Sequence, residues 1–172
     1  MPVTADVLRT HLAYTDWASR RLLGAVATLS QDELTRDFQT ADGNVLCTLA
    51  HVFAADRIWW KRIQGEPVTS FISDADKQLS VLQKDWPALL EQWHRWAASL
   101  TDDGALRVVE FTDTRGNFIS QPVWHIVLHV VNHGTHHRGQ VSGFLRALGH
   151  NPPQLDLMLY YRDLAASAAG RL

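Results

Sequence analysis

Five of the nine histidines, His125, His129, His133, His136 and His137, fall within residues 122–148. Imidazole titrates near neutral pH and, when neutral, ligates metals through a ring nitrogen. What five of them can do depends on direction. Pro122 suits the first turn of a helix, where its missing N–H would have no partner anyway, and Gly149 reads as the stop. One long helix is predicted between them. Each helical residue turns about 100°. With His125 at zero, Val123, Ile126, Val130, Val141, Phe144 and Leu148 fall between about 100° and about 160°. His133 falls at about 80° and His137 at about 120°, with that apolar stripe. His125, His129 and His136 fall between about 0° and about 40°, on its flank. His133 and His137 are stacked about 6 Å apart along the axis. That spacing lets two imidazoles converge on one metal ion, as in helical HxxxH sites. The plainer reading is two core histidines, each of which brings a polar atom that needs a buried partner. Spacing alone leaves the two readings level.

A catalytic site of the zinc type takes about three protein ligands and keeps a position open. His51, on a helix predicted over residues 44–63, is the best third ligand. His11 lies early on the first helix, His94 falls off the apolar stripe of the third, and His150 follows a helix end. The small neighbours Thr48 and Ala55 leave room for the His51 ring to point inward. A di-iron carboxylate bundle needs inward glutamates and two Glu-x-x-His motifs. The chain has one such match, Glu91 to His94, and Glu91 points about 140° away from Trp86 on the stripe. A haem-attaching Cys-x-x-Cys-His, a phosphate-binding loop and a GxSxG elbow are absent.

Supporting residues can be named around this trio. Gln140 falls at about 60°, beside the inward pair, where it can orient a ligand or a water; packing explains it equally well. His129 and His136 are candidates for holding the ligands in place or touching a substrate. Asn132 and Arg138 point away from the stripe and read as structural hydrogen-bonding groups. Asp56 faces the apolar side of its helix, so it should be paired with an arginine or a histidine nitrogen.

Four long amphipathic helices must position these groups. The first is predicted over residues 7–29, where Leu8, Leu12, Trp17, Leu22, Leu23, Val26 and Leu29 recur at helical spacing. Ser30 and Glu33 form a capping box that starts a short helix, and 38–43 is a connector. Gly65 and Pro67 close the second long helix. The third spans about 73–100, carried by Leu79, Leu82, Trp86, Leu89, Leu90, Trp93 and Trp96, and Pro87 should kink or split it. Residues 106–111 and 117–119 flank the turn 112–116 and predict a short hairpin before the fourth long helix. A rigid loop, 150–153, leads to a last helix over 155–166. The fold class expected is an all-α four-helix bundle, whose core is the usual place for metal sites built from facing helices.

The chain has 172 residues, which fits one domain over 1–172 with a sizeable core. Its net charge of −2 shows no basic bias toward nucleic acid. No apolar run reaches transmembrane length and the N-terminus lacks a signal-peptide pattern, so no membrane role and a cytoplasmic location are expected. The single cysteine, Cys47, rules out an intrachain disulfide framework and is expected to be a small buried packing residue.

The run His129-Val-Val-Asn-His-Gly-Thr-His-His-Arg-Gly-Gln140 resembles the signature of the DinB-like family of bundle metalloproteins, which includes YfiT-type thiol transferases. Residues 12–23 (LAYTDWASRRLL) resemble that family's first helix. His51 followed by an acidic residue and Trp59 is similar to its second, and Leu148-Gly-His-Asn-Pro-Pro153 with Asp156 and Tyr160 to its tail. Ser19 stands where the family often has asparagine. The resemblance implies a metal triad on His51, His133 and His137, holding a divalent metal, often nickel or zinc, at one end of an up-down-down-up bundle. It also implies a homodimer formed through helix faces and a small-molecule substrate. A further implication is chemistry with a low-molecular-weight thiol such as bacillithiol, mycothiol or glutathione. The function expected is a metal-dependent thiol S-transferase. The alternatives are a metal-dependent hydrolase and a metal-binding stress protein without turnover.

Overall fold

A computed structural model describes residues 3–68, 70–113 and 115–170. Thr4 caps α1 (Ala5–Val26) by accepting the N–H of Val7. Ser30 and Glu33 form the expected capping box at the start of α2 (Gln31–Thr35). Asn44 accepts the N–H of Cys47 and opens α3 (Val45–Gln64), which Gly65 ends at φ +73°. That left-handed turn costs glycine little, because it has no Cβ to clash. A 3₁₀ turn, Asp74–Lys77, precedes α4 (Leu79–Ala98). Then come α5 (Asp102–Leu106), an antiparallel hairpin of β1 (Val108–Thr112) and β2 (Phe118–Pro122), α6 (Val123–Ala147) and α7 (Leu157–Ala168).

The four long helices form a square in which α1 touches α4 and α6, and α3 touches α6 and α4. Cross-helix pairs give the directions. Arg9, near the start of α1, donates to the carbonyl of Ala97 at the end of α4, so these two run antiparallel. The Asp102 carboxylate accepts the N–H of Ala5, and α5 adjoins the start of α6; Arg138 then meets Ser19 further along, so α1 and α6 are parallel. Phe53 packs on Trp86 and Trp60 on Trp93, so α3 and α4 are parallel. The order is therefore up-down-down-up, as expected. Helices that run antiparallel to their diagonal partners must be linked by long connections, and these carry α2, α5 and the hairpin.

Leu8, Leu22, Leu49, Leu82, Trp86, Ile126 and Leu145 are buried at the centre. Burying each such side chain contributes about 1.5–3 kcal/mol relative to exposure. α4 continues through Pro87 without splitting. Leu106, read from sequence as strand, belongs to α5 instead, whose start is fixed by the Thr101 hydroxyl accepting the N–H of Gly104. Pro122 is the last residue of β2 and the N-cap of α6 rather than its first turn. The predicted hairpin turn includes Thr114, which lies outside the described residues. Cys47 is half-buried rather than buried.

The face of α6 differs from the wheel reading in one important way. Its buried residues are Val123, Ile126, Val127, Val130, Val131, Gly134, Arg138, Val141, Phe144 and Leu145. On the same wheel they spread from about 100° to about 240°, with a centre near about 170°. The stripe drawn from sequence was too narrow, since it left out Val127, Val131 and Leu145. His133 and His137 therefore stand on its rim, half-buried, where α6 faces α3. Arg138 lies inside the stripe and is only 1% exposed, the opposite of the sequence expectation.

Candidate functional site

Three imidazoles meet between α3 and α6. The Nε2 atoms of His51 and His133 face each other at 3.0 Å. The ring of His137 sits with its centroid 4.6 Å from that of His51 and 4.5 Å from that of His133. One nitrogen from each of the three lies within 4.8 Å of the others. Four-coordinate zinc, with metal–nitrogen bonds of about 2.0–2.1 Å, holds its ligand nitrogens about 3.3 Å apart. The His51–His133 pair is already near that spacing, and side-chain shifts of about 1 Å bring His137 to it. Three histidines on two helices are close enough to hold a metal ion.

The protonation of His133 and His137 suits that role. Burial, followed by the rings of His137, His51, His129 and His136, pushes His133 down to about 3. Burial is also the main cause that lowers His137, partly opposed by its bond to Gln140. Neutral imidazole is the ligating form. The Gln140 Oε1 atom lies 2.7 Å from His137 Nδ1. A carbonyl oxygen only accepts, so Nδ1 carries the proton and Nε2 keeps its lone pair for the shared space. Gln140 thus sits where the wheel placed it, against one member of the trio.

Asp42 is the group that sequence reading missed. Its Oδ2 lies 3.5 Å from His137 Nδ1 and its Oδ1 3.9 Å from His51 Nδ1. One carboxylate therefore backs two of the three rings on the side away from their shared space. The connector is built to place it. The N–H of Phe38 donates to the Gly43 carbonyl and that of Asn44 to the Asp42 carbonyl, closing a tight loop with Gly43 at φ +76°. Phe38 stacks on Phe144 at 4.3 Å and anchors the loop to α6. The only signal in the sequence was an aspartate just before a turn glycine, two residues ahead of the helix cap Asn44.

A cavity of about 740 Å³ opens beside the trio. His51 and His133 form its floor; Ala55, Ile58, Trp59, Phe71, Phe111 and Ile119 form apolar walls; His129, Arg62, Asp113 and Arg115 add polar groups. Its size falls in the range of small-molecule sites, about 300–1,000 Å³. Along α3 the lining residues His51, Ala55, Ile58, Trp59 and Arg62 share one face. Phe71 packs edge-on against His51 at 5.5 Å. It is held there by Arg57, whose guanidinium pairs with both oxygens of Asp76 and reaches the Phe71 carbonyl. His129 stands between Trp59 and His133, 5.0 and 5.6 Å from their centroids.

The remaining histidines are not part of the trio. The His136 ring packs against His137 at 4.9 Å from an exposed position. His125 is exposed and contacts Gln121 and Trp124. His94 is exposed, His11 contacts the Val7 carbonyl, and His150 pairs with Glu33 of α2 at 2.8 Å.

Asp56 and Arg138 are ionisable groups buried elsewhere in the core. Asp56, 1% exposed, accepts a hydrogen bond from the Trp86 indole at 2.9 Å, and its other oxygen has no partner. The expectation of an arginine or histidine partner is corrected to a tryptophan. Burial pushes this acid up to about 7, against the pull of Trp86 and Arg138. Arg138 packs over the Tyr14 ring and donates to Ser19 and Thr135. Gly134 makes room for it: a Cβ there would lie 2.6 Å from Arg138 Nη1.

Comparison with known proteins adds three findings. A model of the DinB family matches residues 1–166. The Protein DinB of Bacillus subtilis (strain 168) is 22% identical over 153 residues, covering 86% of this chain and 89% of that protein. The crystal structure of a DinB-like protein from Bacillus cereus ATCC 10987 is similar in fold, with a TM-score of 0.64 at 18% identity. That match covers 90% of this chain and 99% of the other.

Proposed function

The chain belongs to the DinB family, and on that premise we propose that it is a metal-dependent S-transferase joining a low-molecular-weight thiol to an electrophilic small molecule. The observation that carries the reading is the convergence of three ring nitrogens, two of them from His51 and His133 on the floor of a largely apolar cavity. In the proposed reaction a thiol R–SH and an acceptor R′–X give R–S–R′ and HX. The S–C bond forms as the C–X bond breaks, X leaves with the bonding pair, and the thiol proton goes to solvent or to X.

His51 and His133 through Nε2, and His137 through the nitrogen that Gln140 leaves free, would hold the metal, nickel or zinc being the expected choices. When bound, a divalent metal supplies a positive centre that favours thiolate over thiol at neutral pH. Three neutral ligands leave that charge undiminished. Gln140 would orient the His137 ring and Asp42 would add its charge behind His137 and His51; losing such outer contacts typically costs about 10- to 100-fold in metal affinity. Trp59, Ile58, Phe71 and Phe111 exclude water from the acceptor's side, which limits hydrolysis of R′–X.

The test is thiol consumption by metal-loaded protein with bacillithiol, mycothiol and glutathione in turn, against a chlorinated nitroaromatic acceptor. Loss of thiol and appearance of the thioether above the uncatalysed rate are expected with at least one. Product from water in place of thiol would make the protein a hydrolase. No consumption with any thiol would leave a metal-binding protein and overturn the reading.

A further inference from the structure

Of the two arginines that line the cavity, Arg115 is exposed and Arg62 is half-buried against its walls. The Arg62 guanidinium lies in the corner formed by two aromatic rings, 4.5 Å from the centroid of Trp59 and 4.2 Å from that of Phe111. Those rings meet edge to face at 5.4 Å. The buried Nε has no hydrogen-bond partner, and no carboxylate pairs with the group among the described residues. Asp113, the acid in the lining, is occupied within its own turn by the N–H groups of Arg115 and Asn117 and the Asn117 amide. Stacking fixes the plane of a guanidinium and leaves its edge donors directed outward. A rigid, unpaired fork on a cavity wall is the geometry that takes a carboxylate, two N–H groups to two oxygens.

The placement gives the ligand its shape. Arg62 follows His51 by eleven residues on the same face of α3, about 16 Å further along the axis. Both side chains line the same cavity. The walls between them are the flat surfaces of Trp59, Phe71 and Phe111. We propose that Arg62 is the anion-binding residue of this cavity, and that the acceptor is a flat apolar acid with its carboxylate on Arg62 and its electrophilic carbon toward the trio. As an assignment of the acceptor this rests on the transferase reading; as an anion subsite it rests on Arg62. Low-molecular-weight thiols also carry carboxylates. The aromatic walls favour a ring-bearing acid over a polar, peptide-like thiol, so the carboxylate is assigned to the acceptor.

The probes are 3-phenylpropanoate, its methyl ester and S-methylglutathione, with binding read by calorimetry and tryptophan fluorescence on metal-loaded and metal-stripped protein. The acid should bind about tenfold or more tighter than the ester, in both metal states. R62Q should lose that preference while still binding the ester, and R62K, which keeps charge but not the fork, should retain part of it. Acid and ester binding alike would overturn the proposal, and this comparison needs no variant. A preference that vanishes with the metal and survives R62Q would also overturn it, by placing the acid on the metal. Competition by S-methylglutathione for the acid's site, lost in R62Q, would reassign the carboxylate to the thiol and overturn the acceptor assignment. Anion binding without turnover would sink the transferase reading alone; turnover without anion preference would sink this proposal alone.

Discussion

At the scale of single residues the trio was legible because helical spacing is a strong constraint. His133 and His137 share a face by arithmetic, and His51 remained after the poorer histidines were set aside. Asp42 was not legible, since a loop residue's direction depends on backbone bonds that close far from any periodic pattern. Replacing Asp42 with alanine should weaken metal binding by about 10- to 100-fold, the usual effect of losing a contact behind a ligand. A competition titration with a chelator of known affinity measures this, and an unchanged affinity would remove Asp42 from the account.

Asp56 gives a second test at this scale. Its acid titrates near 7 in the fold and near 3.8, its ordinary value, in the unfolded chain. Below about pH 4 both states hold the proton and the group costs nothing. As pH rises toward 7 the unfolded chain releases its proton first, so the native state loses stability across that window. Asp56→Asn removes the titration and keeps an oxygen for the Trp86 indole. Relative to the parent, the metal-free variant should gain on the order of 4 kcal/mol between pH 4 and pH 8. Denaturant melts at the two pH values check it. His133 acts in the opposite sense. Its depressed value means that stability falls as pH drops from about 6.5 toward 3, and that loss should persist in Asp56→Asn.

At the scale of elements, α6 shows what a wheel can and cannot say. It placed His133 and His137 correctly with respect to each other and wrongly with respect to the core. Gly134 and Arg138 lack the hydrophobicity that marks a stripe, yet both are buried. The guanidinium fits because Gly134 has no side chain, and because Tyr14, Ser19 and Thr135 receive it. Gly134→Ala would raise helix propensity by about 1 kcal/mol. It would also place a methyl carbon 2.6 Å from Arg138 Nη1, so the guanidinium would have to shift from its bonds to Ser19 and Thr135. Overpacking of this kind costs about 1–3 kcal/mol, so a net loss of stability or an unchanged value is expected, and clear stabilisation would contradict the packing described. The hairpin and the third helix were legible too, the first from β-branched residues around a turn, the second from its leucines and tryptophans. The continuity of α4 through Pro87 was not, because tertiary packing on both sides holds the helix together despite the missing N–H.

At the scale of the whole molecule, the up-down-down-up order places α3 and α6 side by side and antiparallel. The two HxxxH positions of α6 then face the one inward-facing histidine of α3. The long crossovers this order demands supply what the helices cannot: the connector gives Asp42, the loop after α3 gives Phe71, and the hairpin gives Phe111 over Arg62. The bundle was readable from four amphipathic segments. The cavity was not, because its walls come from four separate stretches of chain that only the fold brings together. No described helix is long and apolar enough to cross a membrane.

The central claim is that His51, His133 and His137 hold one metal ion. Protein purified without a histidine tag, then offered nickel or zinc and freed of excess, should carry one equivalent per chain by elemental analysis. His137→Ala should bring the value close to zero, and His125→Ala should leave it at one. Failure of the parent protein to take up either metal, or an equal loss in both variants, would contradict the account.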